Sequence, residues 1–229
     1  MRRFWKNVAV VAAAGGHDVH LDGRPVRTPG RAPLTLPTPA LAEAVAEEWH
    51  AVGETIDPRA MPLTGLANAA IDRVAADPAA FAAGLAKYGE SDLLCYRADH
   101  PLELKLRQEA AWDPLLGWAA TRYAAPLETV TGIVHRAQPA DSLAALGQAV
   151  ATRSPFELAA LSPLVTVTGS LVAALALLEG AASADDIWSA VNLDEDWQVE
   201  HWGEDDLARQ ARTARHADFD AAVRFLSLL

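Results

Sequence analysis

Val8-Ala9-Val10-Val11-Ala12-Ala13-Ala14-Gly15-Gly16-His17-Asp18-Val19-His20-Leu21-Asp22-Gly23 opens the chain in β structure and decides how the rest is read. Residues 8–13 form an apolar strand, Gly15-Gly16 a turn, and residues 17–21 a second strand. Asp22-Gly23 closes it with a strong hairpin signal. A third strand at Leu34-Thr35-Leu36 follows the Pro29-Gly30 break. So small a sheet needs cover from elsewhere in the chain. The basic start Arg2-Arg3-Phe4-Trp5-Lys6 imitates a short signal peptide, but the apolar stretch after it is minimal and runs into a turn, so it reads as a strand.

From Thr38 onward the apolar spacing becomes helical. Thr38-Pro39 supplies an N-cap and a proline at the first helical position, and Leu41, Val45, Trp49 and Val52 recur on one face. Leu63, Leu66, Ala70, Ile71 and Val74 mark a second helix, and Asp77-Pro78 caps a third with Phe81 and Leu85 inward. Further helices are expected over residues 102–112, after Asp113-Pro114, and over 142–151. Ser154-Pro155-Phe156-Glu157 is a capping box, and Ser183-Ala184-Asp185-Asp186 resembles another. The box opens an uncharged segment, 158–178, about as long as a bilayer is thick. Its Ser162, Pro163, Thr166, Thr168, Gly169 and Ser170, and the lack of basic residues on its C-terminal side, favour a buried helix pair or kinked core helix over a membrane span. A last helix is expected over 204–226, with an apolar line of Leu207, Ala211, Ala214, Ala221 and Phe225 and with the pairs Asp205 to Arg209 and Asp220 to Arg224. The fold class expected is therefore α+β. A small N-terminal antiparallel β module, residues 1–40, packs on a larger all-helical domain, residues 41–229.

At 229 residues and 51% hydrophobic content the chain can bury a sizeable core without staples. The single cysteine, Cys95, sits in Leu93-Leu94-Cys95-Tyr96 and reads as core, which fits a reducing compartment. Charge is distributed unevenly. Residues 154–208 hold eleven Asp or Glu and no Lys or Arg, while the remainder holds nineteen of each sign, so this segment accounts for the whole net charge of −11. That balance argues against a nucleic-acid partner, which needs clustered Lys and Arg. It suits a basic or mixed-charge protein surface.

The densest part is Leu193-Asp194-Glu195-Asp196-Trp197-Gln198-Val199-Glu200-His201-Trp202-Gly203-Glu204-Asp205-Asp206. A purely solvated acidic run has no reason to interleave tryptophans, whose surface favours burial or a partner. Projected as one helix over residues 185–202, the segment puts Trp188, Val191, Val199 and Trp202 on one face with Glu195 among them. Such a carboxylate should either meet a cation from elsewhere in the chain or remain available to a partner. Glu200, His201 and Asp205 include metal-ligand types, but their spacing matches no zinc signature. His17 and His20 fall on opposite faces of a strand. No phosphate-binding loop, dinucleotide fingerprint, nucleophile elbow or H-E-x-x-H motif is present, which removes the common routes to nucleotide binding and acyl cleavage.

The chain resembles the assembly chaperones that act on the alpha subunit of the catalytic head of ATP synthase. The resemblance rests on Arg3-Phe4-Trp5-Lys6, Leu21-Asp22-Gly23-Arg24-Pro25-Val26-Arg27-Thr28-Pro29, Glu48-Trp49, Met61-Pro62-Leu63-Thr64 and Ala70-Ile71-Asp72-Arg73. It continues through Asp92-Leu93-Leu94-Cys95-Tyr96-Arg97-Ala98, Gln108 with Trp112-Asp113-Pro114-Leu115-Leu116, and Asp194-Glu195 with Gln198 and Trp202-Gly203. It implies a non-enzymatic chaperone that holds an unassembled alpha subunit until its partner subunit replaces it. A monomer without cofactor or metal is expected. The partner-binding residues expected are Asp194, Glu195, Gln198, Glu200, Trp202, Asp205 and Trp49. With no convincing transit peptide, a bacterial cytoplasm is expected rather than a mitochondrial matrix. Two other readings stand beside this one. The first is a small metal- or carboxylate-dependent enzyme using Glu195, Glu200 and His201, and the second is a membrane adaptor attached through residues 158–178.

Overall fold

The computed structural model describes residues 2–229. Strands β1 (Val8–Ala13) and β2 (Gly16–Leu21) pair antiparallel from Val8 opposite Leu21 to Ala13 opposite Gly16. β2 also pairs with β3 (Arg24–Pro25) and with β4 (Thr35–Leu36). The turn between β2 and β3 needs two residues at positive φ, and Asp22 (47°) and Gly23 (79°) supply them. Asp22 is held there because its carboxylate accepts the Asn7 amide at 2.8 Å and the Lys6 amide at 3.1 Å, which also lowers its pKa from the ordinary value. Gly16 is required by close approach, since a Cβ there would lie 2.2 Å from the Leu36 carbonyl oxygen.

The sheet covers α1 (Pro39–Ala51), whose first turn is capped by Thr38 Oγ1 accepting from the Leu41 amide at 3.2 Å. Leu41 and Val45 are fully buried with Val19, Leu21, Leu34 and Leu36 of the strand layer. Trp5 joins this core at 3% exposure, its ring 5.3 Å from that of Trp49. α2 (Pro62–Ala69) lacks a side-chain N-cap of its own. Glu48 takes that role, accepting from the Leu63 and Thr64 amides at 2.8 Å each. The helix then widens into a single π-type turn, Ala70–Val74. The α+β class expected from the sequence is what the structure shows.

Two compact units divide the chain, and the helices after residue 40 are shared between them. The first comprises the described residues up to Pro78 together with Ser154–Ala160 and Ala221–Leu229; the second comprises Ala79–Arg153 and Leu161–Asp220.

α3 (Pro78–Ala86) leads towards α4 (Leu102–Tyr123), which is continuous. The helix break expected at Asp113-Pro114 does not occur. Pro114 forfeits one backbone hydrogen bond, but Trp112, Leu116 and Ala119 on either side of it are buried and hold the helix together. After it come α5 (Ala140–Ala151), α6 (Pro155–Thr168) and α7 (Leu171–Leu178). The expected capping box forms at α6: Glu157 accepts from the Ser154 amide at 2.7 Å and Ser154 Oγ accepts from the Glu157 amide at 3.2 Å.

The uncharged segment is the expected helix pair, broken where Gly169 takes φ +65° and Ser170 caps α7. Among the described residues no helix is long and apolar enough to cross a membrane. Cys95 is buried, as its setting suggested. The short parallel pair β5 (Tyr96–Arg97) and β6 (Val130–Thr131) was not foreseeable from two-residue segments.

Three helices follow: α8 (Ala184–Val191), α9 (Leu193–Trp202) and α10 (Asp206–Ser227), the second unit taking α10 up to Asp220 and the first unit the remainder. The apolar line expected on α10 is only partly used. Leu207, Ala211 and Ala214 are exposed, whereas Phe219, Ala222 and Phe225 are buried. Neither expected pair forms. Asp205 instead accepts from the Leu207 amide at the start of α10 and Arg209 pairs with Asp206 at 2.6 Å, while Asp220 lies 3.5 Å from His216 Nδ1 and Arg224 pairs with Glu47 at 3.4 Å.

Candidate functional site

One asparagine organises the acidic run. A single helix over residues 185–202, the basis for placing Glu195 among Trp188, Val191, Val199 and Trp202, does not form. At Asn192 the backbone turns to φ −100°, ψ 8°, and the side-chain amide donates to the Trp188 carbonyl at 2.8 Å. An asparagine that satisfies its own backbone this way competes with helix continuation. The four residues of the projected face therefore separate. Trp188 packs against His216 and Phe219 of α10, with ring centroids at 4.4 and 5.2 Å, while Trp202 at the end of α9 is 77% exposed.

The expected site residues fall into three groups. Asp194 and Glu195 are structurally engaged: Asp194 accepts from Gln108 Nε2 at 2.7 Å, and Glu195 pairs with Arg215 at 2.5 Å. Glu195 thus meets a cation of its own chain. Gln198, Glu200, Trp202 and Asp205 are exposed, on α9 and the turn that follows it. Trp49 belongs to the first unit and is half-buried against Trp5, whose indole N–H donates to the Trp49 carbonyl at 3.3 Å. The structure therefore gathers six of the seven on one limb and assigns Trp49 to a core.

Three arginines answer the acids, and the sequence reading missed all of them. Arg215 holds Glu195, Arg212 holds Asp196 at 2.5 Å, and Arg107 of α4 holds Glu200 at 2.8 Å and Glu103 at 3.0 Å. Glu200 and then Glu103 raise the Arg107 pKa further, keeping its charge fixed. A signal for two of them was present: Arg209, Arg212 and Arg215 recur at three-residue spacing directly after the acidic run, on one side of a helix. Arg107 also lies 4.7 Å over the ring of Trp197, which stacks on His201 at 4.1 Å.

Several quoted motif residues are structural fastenings, two of them, Gln108 and Trp112, of this limb. Gln108 accepts the Ala98 amide at 2.7 Å while donating to Asp194, and Trp112 Nε1 donates to the Ala190 carbonyl at 2.7 Å. Arg97 is 4% exposed and pairs with Asp113 at 2.5 Å. Asp92, fully buried, accepts the Leu94 and Val172 amides at 3.1 and 3.0 Å; burial pushes its pKa up, although these bonds oppose the shift.

Between α4 and the α8–α9 limb runs a groove of about 790 Å³. Ala110, Ala111, Leu115, Ile187, Ala190 and Leu193 give it an apolar lining, and Asp186, Asp196 and Glu200 edge it with Arg107. This arrangement suits the capture of a polypeptide surface: an apolar trough, an acidic edge and an exposed tryptophan at the end of α9. Glu195 and Glu200 are ion-paired, His201 Nδ1 lies 2.8 Å from the Trp197 carbonyl, and among the described residues no three His, Cys, Asp or Glu side chains gather in a metal-binding arrangement.

Comparison with known proteins identifies the family of the chain. Residues 2–120 match the ATP12 chaperone protein family. The structure superposes on that of Atp12 from Paracoccus denitrificans with a TM-score of 0.95 and 47% identity, covering 99% of this chain and 97% of the other. The Atu1473 protein of Agrobacterium tumefaciens gives 0.94 and 41%, covering 99% of this chain and 85% of the other. The mitochondrial protein atp12 of Schizosaccharomyces pombe is 25% identical over 214 residues, 88% of this chain and 74% of that one. The chain belongs to the ATP12 chaperone family.

Proposed function

We propose that this ATP12-family chaperone binds the unassembled alpha subunit of the catalytic head of ATP synthase and keeps it from aggregating until a partner subunit takes its place. The observation that carries the reading is the α9 limb: Trp202, 77% exposed, stands at the end of a helix bearing four acids and no lysine or arginine. A large aromatic anchor inside a polar surround is the usual form of an interaction hot spot. Gln198, Glu200, Trp202 and Asp205 are the direct contacts in this reading. Asp194 and Glu195 act through Gln108 and Arg215 by fixing the limb, and Trp49 shapes the first unit's core. The two bacterial relatives support action in a bacterial cytoplasm.

Light scattering of an alpha subunit diluted from denaturant tests the proposal. Equimolar chaperone should suppress the rise in scattering without added ATP. An unchanged time course at several-fold excess would refute it.

A further inference from the structure

We propose that the groove between α4 and the α8–α9 limb seats one amphipathic helix of the alpha subunit, with an aliphatic stripe facing the trough and lysine or arginine beside that stripe. The inference rests on the reading that the alpha subunit is the partner.

The walls dictate that the occupant is helical. Every lining residue belongs to a helix or to the short turn before α8, and no strand edge borders the groove. A segment entering such a trough finds few backbone partners, so its own amides and carbonyls must be satisfied internally, which a helix does. Ala110, Ala111 and Ala190 keep the walls low enough for another helix to lie close.

The edges dictate the charge. α8 and α9 together carry Asp185, Asp186, Asp194, Glu195, Asp196 and Glu200 and no lysine or arginine. Arg215, Arg212 and Arg107 match Glu195, Asp196 and Glu200, and Gln108 engages Asp194. Among the described residues neither Asp185 nor Asp186 has an ion pair, and Asp186 lines the groove, held only by Ser183. The Glu200 pair is itself half-exposed, 42% on Arg107 and 51% on Glu200, so an incoming cation can share or exchange it. An occupant with acids beside its stripe would meet this edge with repulsion.

The test uses the full chain and the isolated alpha subunit, with association and dissociation rates measured for wild type and variants. Ala110→Trp and Ser189→Trp fill the groove from opposite walls at exposed positions, so their melting temperatures should match wild type while affinity falls at least ten-fold. Asp186→Lys should slow association several-fold. A benzophenone attached to Ser189→Cys should cross-link to a helical alpha-subunit peptide that contains lysine or arginine. Wild type that captures the alpha subunit while both tryptophan variants capture it equally well would overturn the groove and leave the functional reading standing. Failure of wild type itself to capture would remove both. Faster association of Asp186→Lys, or cross-linking to an acidic or extended segment, would overturn the basic helix. Self-association abolished by Ala110→Trp would assign the groove to a second copy of this chain instead.

Discussion

Glu195 and Arg215 retain 30% and 40% side-chain exposure, so their pair sits between a surface bridge and a buried one. Pairs that exposed contribute about 1 kcal/mol or less. Glu195→Gln should therefore lower the melting temperature by only ~2–4 °C and weaken alpha-subunit capture modestly, through the limb it steadies. A drop several times larger on calorimetry would mean that the carboxylate stabilises far more than its pair. Trp202→Ala should behave oppositely, leaving the melting temperature nearly unchanged and costing about 2 kcal/mol or more in affinity; titration calorimetry separates the two effects. Glu179 provides a pH handle. Burial opposes its ionisation, but Arg122, Arg153 and Tyr123 outweigh burial and hold its carboxyl below the ordinary value of 4.5. The cluster thus stabilises the fold above that pH and loses its contribution as pH falls through the lowered value. Glu179→Gln should flatten the acid side of the melting-temperature profile, and an unchanged profile would contradict this. At Cys95, burial followed by the nearby Asp92 pushes the thiol up to about 12, so a thiol reagent at neutral pH should label it only after denaturation.

Each acidic helix is stopped by a residue with a local reason to stop it. Gly203 after α9 takes φ 82°, ψ 171°, a region essentially closed to residues with a Cβ, although nothing lies within 4 Å of where that Cβ would be. Gly203→Ala should therefore cost ~1–3 kcal/mol through backbone strain alone and loosen the last turn of α9, visible as faster amide exchange at His201 and Trp202. Exchange as slow as wild type would show that the turn can relax. Asp92 supports the start of α7 instead, accepting the Val172 amide in its first turn: Asp92→Ala strands two buried amides and should cost about 3 kcal/mol. At this scale the sequence was legible wherever chemistry is local. Asp22-Gly23, Thr38-Pro39 and Ser154 with Glu157 each announced their geometry, because the residues that make the turn or cap are neighbours in the chain. It was not legible where distant packing decides. Pro114 reads as a helix end, but the burial of Trp112 and Leu116 beside it carries the helix through, and Asn192 reads as helical, but its amide bonds the Trp188 carbonyl.

Across the molecule the acidic surplus lies in residues 154–208, and its densest part frames the groove and the exposed tryptophan. The candidate site was legible as a composition, acids interleaved with tryptophan, but the arginines that cross-brace it come from α4 and α10, separated in sequence from their partners. Those arginines temper the field without cancelling it. The association rate with the alpha subunit should fall as salt rises, because steering fades beyond a Debye length of about 8 Å at physiological ionic strength, while dissociation changes less. Equal association rates at low and high salt would take the acidic limb out of the encounter. The central claim, that the α9 limb captures the unassembled alpha subunit, is tested most directly by co-expressing that subunit with wild-type chaperone or with the Glu200→Lys, Trp202→Ala double variant and purifying the soluble complex. The account predicts a stoichiometric complex with wild type and an insoluble alpha subunit with the folded variant. An equal yield of complex from both, or no complex from wild type, would contradict it.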